Sequence, residues 1–192
     1  QNKYKDNFFL GTGVNSLGDN IDLINHSFNN GFDTFLIMPP AYYTSNSHEG
    51  VYAFYANIIQ RFPKIKIILY NFQKLSQYLF SPKAVEKLVK NFPEAIRGCK
   101  DSSYNLYEHL KIPGFSILPG SETKLLHGLQ KGANGIISAV TNVTHSLAKQ
   151  VYDDFCNNKK QTVNEKLCAV RRAFDDTENL ISALHSFMSL KD

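Results

Sequence analysis

Cysteine is scarce in this chain. Only Cys99, Cys156 and Cys168 occur, far apart, with no C-x-x-C pair and no histidine at ligand spacing. That argues against a disulfide framework or a zinc site and points to a reducing compartment. Long apolar runs are missing too. No stretch approaches the roughly 18–20 residues that span a bilayer, and the opening QNKYKDNFFLG lacks the apolar segment of a signal peptide. The basic residues form no stripe. They are scattered as singles and pairs such as Lys159-Lys160 and Arg171-Arg172, so the net charge of +4 gives little support to nucleic-acid binding. Sequence repeats and low-complexity tracts are absent. The expectation is a soluble, cytoplasmic protein with no nucleic-acid partner and no membrane.

What is present suits a folded core. The 192 residues are 43% hydrophobic and 20% charged, which excludes a disordered chain and fits one domain or two small ones. Short apolar runs alternate with longer amphipathic stretches. The runs are Phe8–Gly11, Thr34–Met38, Ile65–Tyr70, Ala95–Cys99, Phe115–Leu118 and Gly135–Ala139, each bounded by Gly, Pro, Asn or Asp. They read as strands buried on both faces. Helices are expected over Asp19–Asn30, His48–Phe62, Ser81–Phe92, Ser121–Lys131, Thr144–Asn158, Thr162–Asp175 and Leu180–Leu190. The apolar spacings of three and four and the cap residues set these limits. Alternation of this kind implies βαβ units and a parallel sheet. Counted alone, six strands fit an open doubly wound sheet better than an eight-stranded barrel.

Chemistry in either architecture gathers at the carboxyl ends of the strands. Gly11-Thr12-Gly13 starts like a dinucleotide fingerprint but lacks the third glycine, and a tight turn explains it equally. Pro39-Pro40-Ala41-Tyr42-Tyr43 is a rigid aromatic loop, either functional or simply packed. Tyr70 ends its strand with a phenol, a group able to shuttle protons. Lys100 ends the next. An ammonium is expensive to bury, and burial of an amine favours the neutral nucleophile that forms Schiff bases. The alternative is a lysine reaching solvent past the strand end. Gly120-Ser121-Glu122 either offers backbone amides to a small anion or caps a helix.

Leu69-Tyr70-Asn71 and Gly98-Cys99-Lys100-Asp101-Ser102-Ser103, taken together, resemble the dihydrodipicolinate synthase / N-acetylneuraminate lyase family of class I aldolases. Gly11 to Ser16, Pro39 to Tyr43 with Glu49-Gly50, Gly120-Ser121-Glu122 and Gly135-Ile136-Ile137-Ser138-Ala139 follow in the family's order. The resemblance implies a TIM (β/α)8 barrel, of which this chain covers strands three to eight plus C-terminal helices. On that reading residues 1–143 are the partial barrel, and residues 144–192 are its last helix and the C-terminal helices. The first two βα units, with the Gly-Thr-Thr-Gly-Glu loop that holds the keto-acid carboxylate, are not in the sequence. On that reading the chain is part of a longer polypeptide, a decayed or nicked gene product, or one whose missing strands another chain supplies. The 192 residues alone are therefore expected not to make a stable, active monomer, and to need the missing N-terminal segment or to associate through open edges.

The resemblance also implies roles. Lys100 forms the Schiff base with pyruvate or a related 2-keto acid, and Tyr70 moves the proton. Tyr42 or Tyr43 completes the relay, commonly from a neighbouring subunit, in a homo-oligomer that is a dimer or tetramer. Backbone at Gly120, Ser121 and Ile137 lines the keto-acid pocket. No metal or organic cofactor is implied. Dihydrodipicolinate synthases place an arginine four residues after the Asn of the Tyr-Asn pair, and here that position is Leu75. Neighbouring Lys74 is a point charge, not a planar fork. Efficient dihydrodipicolinate synthesis is therefore not expected. The alternative reading is a catalytically impaired relative acting as an assembly or binding protein.

Overall fold

The computed structural model describes residues 8–190. It is built of five strands and eight helices in the order β1 (Leu10–Gly11), α1 (Leu17–Asn29), β2 (Thr34–Ile37), α2 (His48–Arg61), β3 (Lys66–Asn71), α3 (Gln73–Ser76), α4 (Pro82–Asn91), β4 (Ile96–Asp101), β5 (Ser116–Pro119), α5 (Leu125–Gln130), α6 (Thr141–Cys156), α7 (Asn164–Asp175) and α8 (Leu180–Ser189). The strands form a sheet in sequence order, β1-β2-β3-β4-β5, and the pairs from β1 to β4 are parallel. The chain divides into two compact units, Gln1–Ser116 and Ile117–Asp192. Among the described residues no helix is long and apolar enough to cross a membrane.

The first unit carries βα repeats. Ser16, Ser47 and Ser81 each cap a helix by accepting a backbone N–H three residues on, at 3.0, 3.0 and 3.2 Å. Such caps contribute about 1 kcal/mol each, and Pro82 follows Ser81 at the first helical position, where its missing N–H is no loss. The core of this unit is Ile24, Phe35, Ile37, Tyr55, Ile58, Ile67, Leu69, Phe80, Leu88 and Ile96, all buried. β3 buries Ile67, Ile68 and Leu69 in succession, as expected of a covered central strand. β2 departs from that expectation. Phe35 and Ile37 are buried while Thr34 and Leu36 are half-buried, so its burial alternates with a period of two.

The second unit packs Leu125, Leu129, Ala148, Val151 and Leu167 from α5, α6 and α7. The predicted helix over Ser121–Lys131 is here a 3-10 turn at Glu122–Lys124 running into α5. α6 opens at Thr141, three residues before the predicted start.

The predicted strand Gly135–Ala139 is not a strand. Its segment lies along β5 through two backbone bonds, Asn134 N–H to the Ile117 carbonyl at 2.9 Å and Ile137 N–H to the Pro119 carbonyl at 3.1 Å. Two residues of β5 thus face three of this segment. The Ile117 N–H is taken by the Asn134 side chain at 3.1 Å, and Gly135 adopts φ +145, which L side chains rarely tolerate. The side-chain bond and the extra residue break the ladder.

Candidate active site

β3 and β4 bring the two principal sequence candidates together. Tyr70 and Lys100 are register partners, and the Lys100 ammonium lies 4.0 Å from the Tyr70 ring centroid. A cation over an aromatic face is attracted by the ring quadrupole. Phe72 stacks on Tyr70 with centroids 6.0 Å apart, which steadies the ring.

A one-residue irregularity creates this pairing. Ile67 pairs with Ile96, but Ile68 pairs with Gly98, so Arg97 is an extra residue. If Arg97 instead took its own place in a regular ladder, Cys99 would lie beside Tyr70 and Lys100 beside Asn71, on the opposite face. Gly98 is the residue that fits there. A Cβ on it would meet the Ser116 carbonyl oxygen at 2.7 Å.

Just past this pair lies a buried polar lock. Asp101 is fully buried. Its Oδ1 accepts from Asn71 Nδ2 at 2.8 Å and from Tyr104 N–H at 3.0 Å, and its Oδ2 accepts from Leu106 and Tyr107 N–H at 2.9 and 3.0 Å. Asn71 also donates to Asn105 Oδ1 at 2.8 Å and accepts from Phe80 N–H at 3.2 Å, while Asn105 donates to the Phe80 carbonyl at 2.9 Å. Asn71 and Asp101, which follow Tyr70 and Lys100, are therefore fixed, and the loop from Ser102 to Tyr107 is tied to them. Cys99, between Gly98 and Lys100, is inert. Burial, helped by the Asp101 charge, pushes its thiol well above the usual range.

The other sequence candidates fall as follows. Tyr42 and Tyr43 are 79% and 63% exposed and make a T-shaped pair at 5.6 Å. Their loop is held by Asn15 Oδ1, which accepts from Ala41 and Tyr42 N–H, and by Asn46, which donates to the Pro40 and Tyr43 carbonyls. Among the described residues their phenols make no hydrogen bond with Tyr70 or Lys100. Leu75 lies exposed on α3. Gly13 sits at φ +62, which accounts for its glycine as a turn residue. Ser121 caps the 3-10 turn through its hydroxyl, accepting from Thr123 N–H at 3.3 Å.

Sequence reasoning missed a second polar cluster, within the second unit. Glu122 is fully buried, and its Oε2 accepts from Arg171 Nη1 at 3.0 Å and from Ser138 Oγ at 2.8 Å. Its Oε1 accepts from Thr144 at 3.2 Å. The same Nη1 reaches Ser138 Oγ at 3.1 Å and the Gly120 carbonyl at 3.4 Å. A buried glutamate beside a predicted pocket loop was the available signal.

Comparison with known proteins adds the family. Residues 5–190 match the dihydrodipicolinate synthetase family. The chain belongs to that family. It is similar to a 2-dehydro-3-deoxy-D-gluconate/2-dehydro-3-deoxy-phosphogluconate aldolase of Picrophilus torridus, 24% identical over 83% of this chain and 60% of the relative. It is also similar to a 4-hydroxy-tetrahydrodipicolinate synthase of Syntrophus aciditrophicus, 33% identical over 69% of this chain and 46% of that protein. The chain thus spans about half the length of these curated relatives. Among solved structures it resembles a prophage protein of the dihydrodipicolinic acid synthase family from E. coli K12, in complex with pyruvate. There the TM-score is 0.81 at 20% identity, covering 92% of this chain and 62% of that one. That likeness shows the fold: parallel βα units like those of the family's TIM barrels.

Proposed function

We propose that this protein is a class I aldolase or lyase acting on pyruvate or a related 2-keto acid. The observation that carries the reading is the Lys100 Nζ held 4.0 Å from the ring centroid of Tyr70 on the adjoining strand. The Lys100 ammonium gives a proton to solvent, the amine adds to the ketone carbon, and the carbinolamine takes up a proton and loses water to give an iminium. The iminium withdraws electrons, so loss of a proton from the neighbouring carbon gives an enamine. The enamine carbon then forms a bond to an aldehyde, and the reverse sequence cleaves one. Tyr70 carries the proton between the departing oxygen and solvent.

In this reading β1 to β5 are strands three to seven of the barrel, and the Gly135–Ala139 segment stands where the eighth would be. Residues 1–143 make the barrel portion and 144–192 the closing helices. Gly120, Ser121 and Ile137 line the keto-acid pocket through their backbone. The Ile137 N–H is engaged with the Pro119 carbonyl, which leaves its own carbonyl as the group offered. Tyr42 or Tyr43 extends the proton relay to a second copy, which their exposure allows. Leu75 offers no fork to a second carboxylate, so aldehydes without one are the better acceptors. The protein works in the cytoplasm as a dimer or tetramer.

The test is reductive trapping. Incubation with pyruvate and borohydride should leave a stable adduct, and peptide mapping should place it on Lys100. Lys100→Ala should leave none. An adduct on another lysine, or none on folded protein, refutes the assignment.

A further inference from the structure

We propose that Arg171 is a positioning residue for the keto-acid pocket. It holds the Gly120–Glu122 and Ile137–Ser138 segments in one fixed arrangement from α7. This rests on the aldolase reading above for what the pocket binds, but the clamp itself is read from the second unit alone.

Arg171 is far from these segments in sequence, by 51 residues from Gly120 and 33 from Ser138. Its side chain is nonetheless only 12% exposed. Nε is tied to Asp175 Oδ1 at 2.8 Å one helical turn on, which orients the fork. Nη1 then meets the Glu122 carboxylate, the Ser138 hydroxyl and the Gly120 carbonyl. These are the two segments named for the pocket. Ser138 donates in turn to Glu122, and Thr144 adds a third donor from α6. The Ile137 N–H bond to the Pro119 carbonyl joins the segments directly. A planar guanidinium can meet several acceptors at fixed angles, which an ammonium cannot. A covering role for α7 would need only its apolar face, which Leu167 already supplies. A buried ion pair adds little net stability but fixes geometry, because any other arrangement leaves a charge unpaired.

The variant that tests this is Arg171→Met with Glu122→Gln. It removes both charges together, so no unpaired charge stays buried, and the glutamine amide still partners Ser138 and Thr144. Thermal unfolding establishes that it folds. Hydrogen exchange is then compared by peptide. Exchange over residues 117–124 and 134–142 should rise about tenfold or more, as local opening becomes easier. Peptides over β3 and β4 should not change. In borohydride trapping, the half-saturating pyruvate concentration should rise about tenfold, by more than the maximal rate falls. Arg171→Lys keeps the charge and should lie between wild type and the double variant. Unchanged local exchange in the folded double variant overturns the clamp. Raised exchange with unchanged half-saturation overturns its role in the pocket. If wild type gives no adduct while local exchange still rises, the aldolase reading fails and the clamp stands.

Discussion

Asp101→Asn replaces one carboxylate oxygen with an NH2 group and should strongly destabilise the protein. Each carboxylate oxygen accepts two N–H groups: Asn71 and Tyr104 on Oδ1, Leu106 and Tyr107 on Oδ2. Flipping the new amide does not help, because either orientation sets NH2 against two donors. Asn71 cannot flip to compensate, since its own Oδ1 accepts from Phe80 N–H. Two buried donors thus lose their acceptor, at about 1–3 kcal/mol each, or roughly 2–6 kcal/mol in all. That is a large part of a typical total of about 5–15 kcal/mol. Urea unfolding reads it directly. With a slope of about 2 kcal/mol per molar, the midpoint should fall by about 1–3 M. Trapping by pyruvate and borohydride should slow as well, because Asp101, the residue next to Lys100, loses the bonds that hold it. A midpoint within about 0.3 M of wild type would show that the four bonds do not hold the strand ends, and the argument would fail.

Three further outcomes follow from the geometry. Tyr70→Phe keeps the ring under the Lys100 ammonium but removes the hydroxyl. Turnover should fall by roughly 10²–10⁴-fold while adduct formation persists, and unchanged turnover would remove Tyr70 from the proton path. Gly98→Ala places a methyl 2.7 Å from the Ser116 carbonyl oxygen, and the forced shift should cost about 1–3 kcal/mol in unfolding free energy. Tyr78, whose hydroxyl lies 2.7 Å from His48 Nδ1, has its phenol pushed up from 10.0 to about 12 by burial and by the charge of Glu49. A raised phenol contributes stability fully below pH 10.0 and loses it as pH climbs through 12, because the unfolded chain releases its proton first. Tyr78→Phe should therefore show a shallower loss of stability over that window than wild type.

The two strand-end candidates were readable as such because strand ends are simple to recognise. A short apolar run, a polar terminus and a turn residue mark Tyr70 and Lys100 without knowledge of the neighbouring strands. Their shared register was not readable, since the extra residue Arg97 reflects the close approach of Gly98 to Ser116, a contact between distant segments. Gly135–Ala139 looked like a strand because Ile136 and Ile137 sit between glycine and serine. The Asn134 side chain, which displaces a ladder bond, leaves no periodic trace. Nothing in the run Asp101-Ser102-Ser103 marks Asp101 as buried, yet it is, satisfied by the N–H groups of Tyr104, Leu106 and Tyr107. Arg171 was invisible for a related reason: one arginine in a charged helix reads as solvated until the fold brings Glu122 to it.

The irregularity at Arg97 makes β4 two pieces with slack between them. The scaffold piece ends at Ile96, seated in the core, and the chemical piece runs from Gly98 to Asp101, anchored by the Ser116 approach and the Asn71 bond. Because the spare residue belongs to neither, small shifts of the scaffold can be taken up there without reaching the amine. Arg97 side chains of any kind should serve, since the position is exposed and unpaired in the ladder. Even its removal would leave Ile96 opposite Ile67 and Lys100 opposite Tyr70. The lysine's address is written by the residues after the slack, so the two halves of the strand can drift independently in sequence.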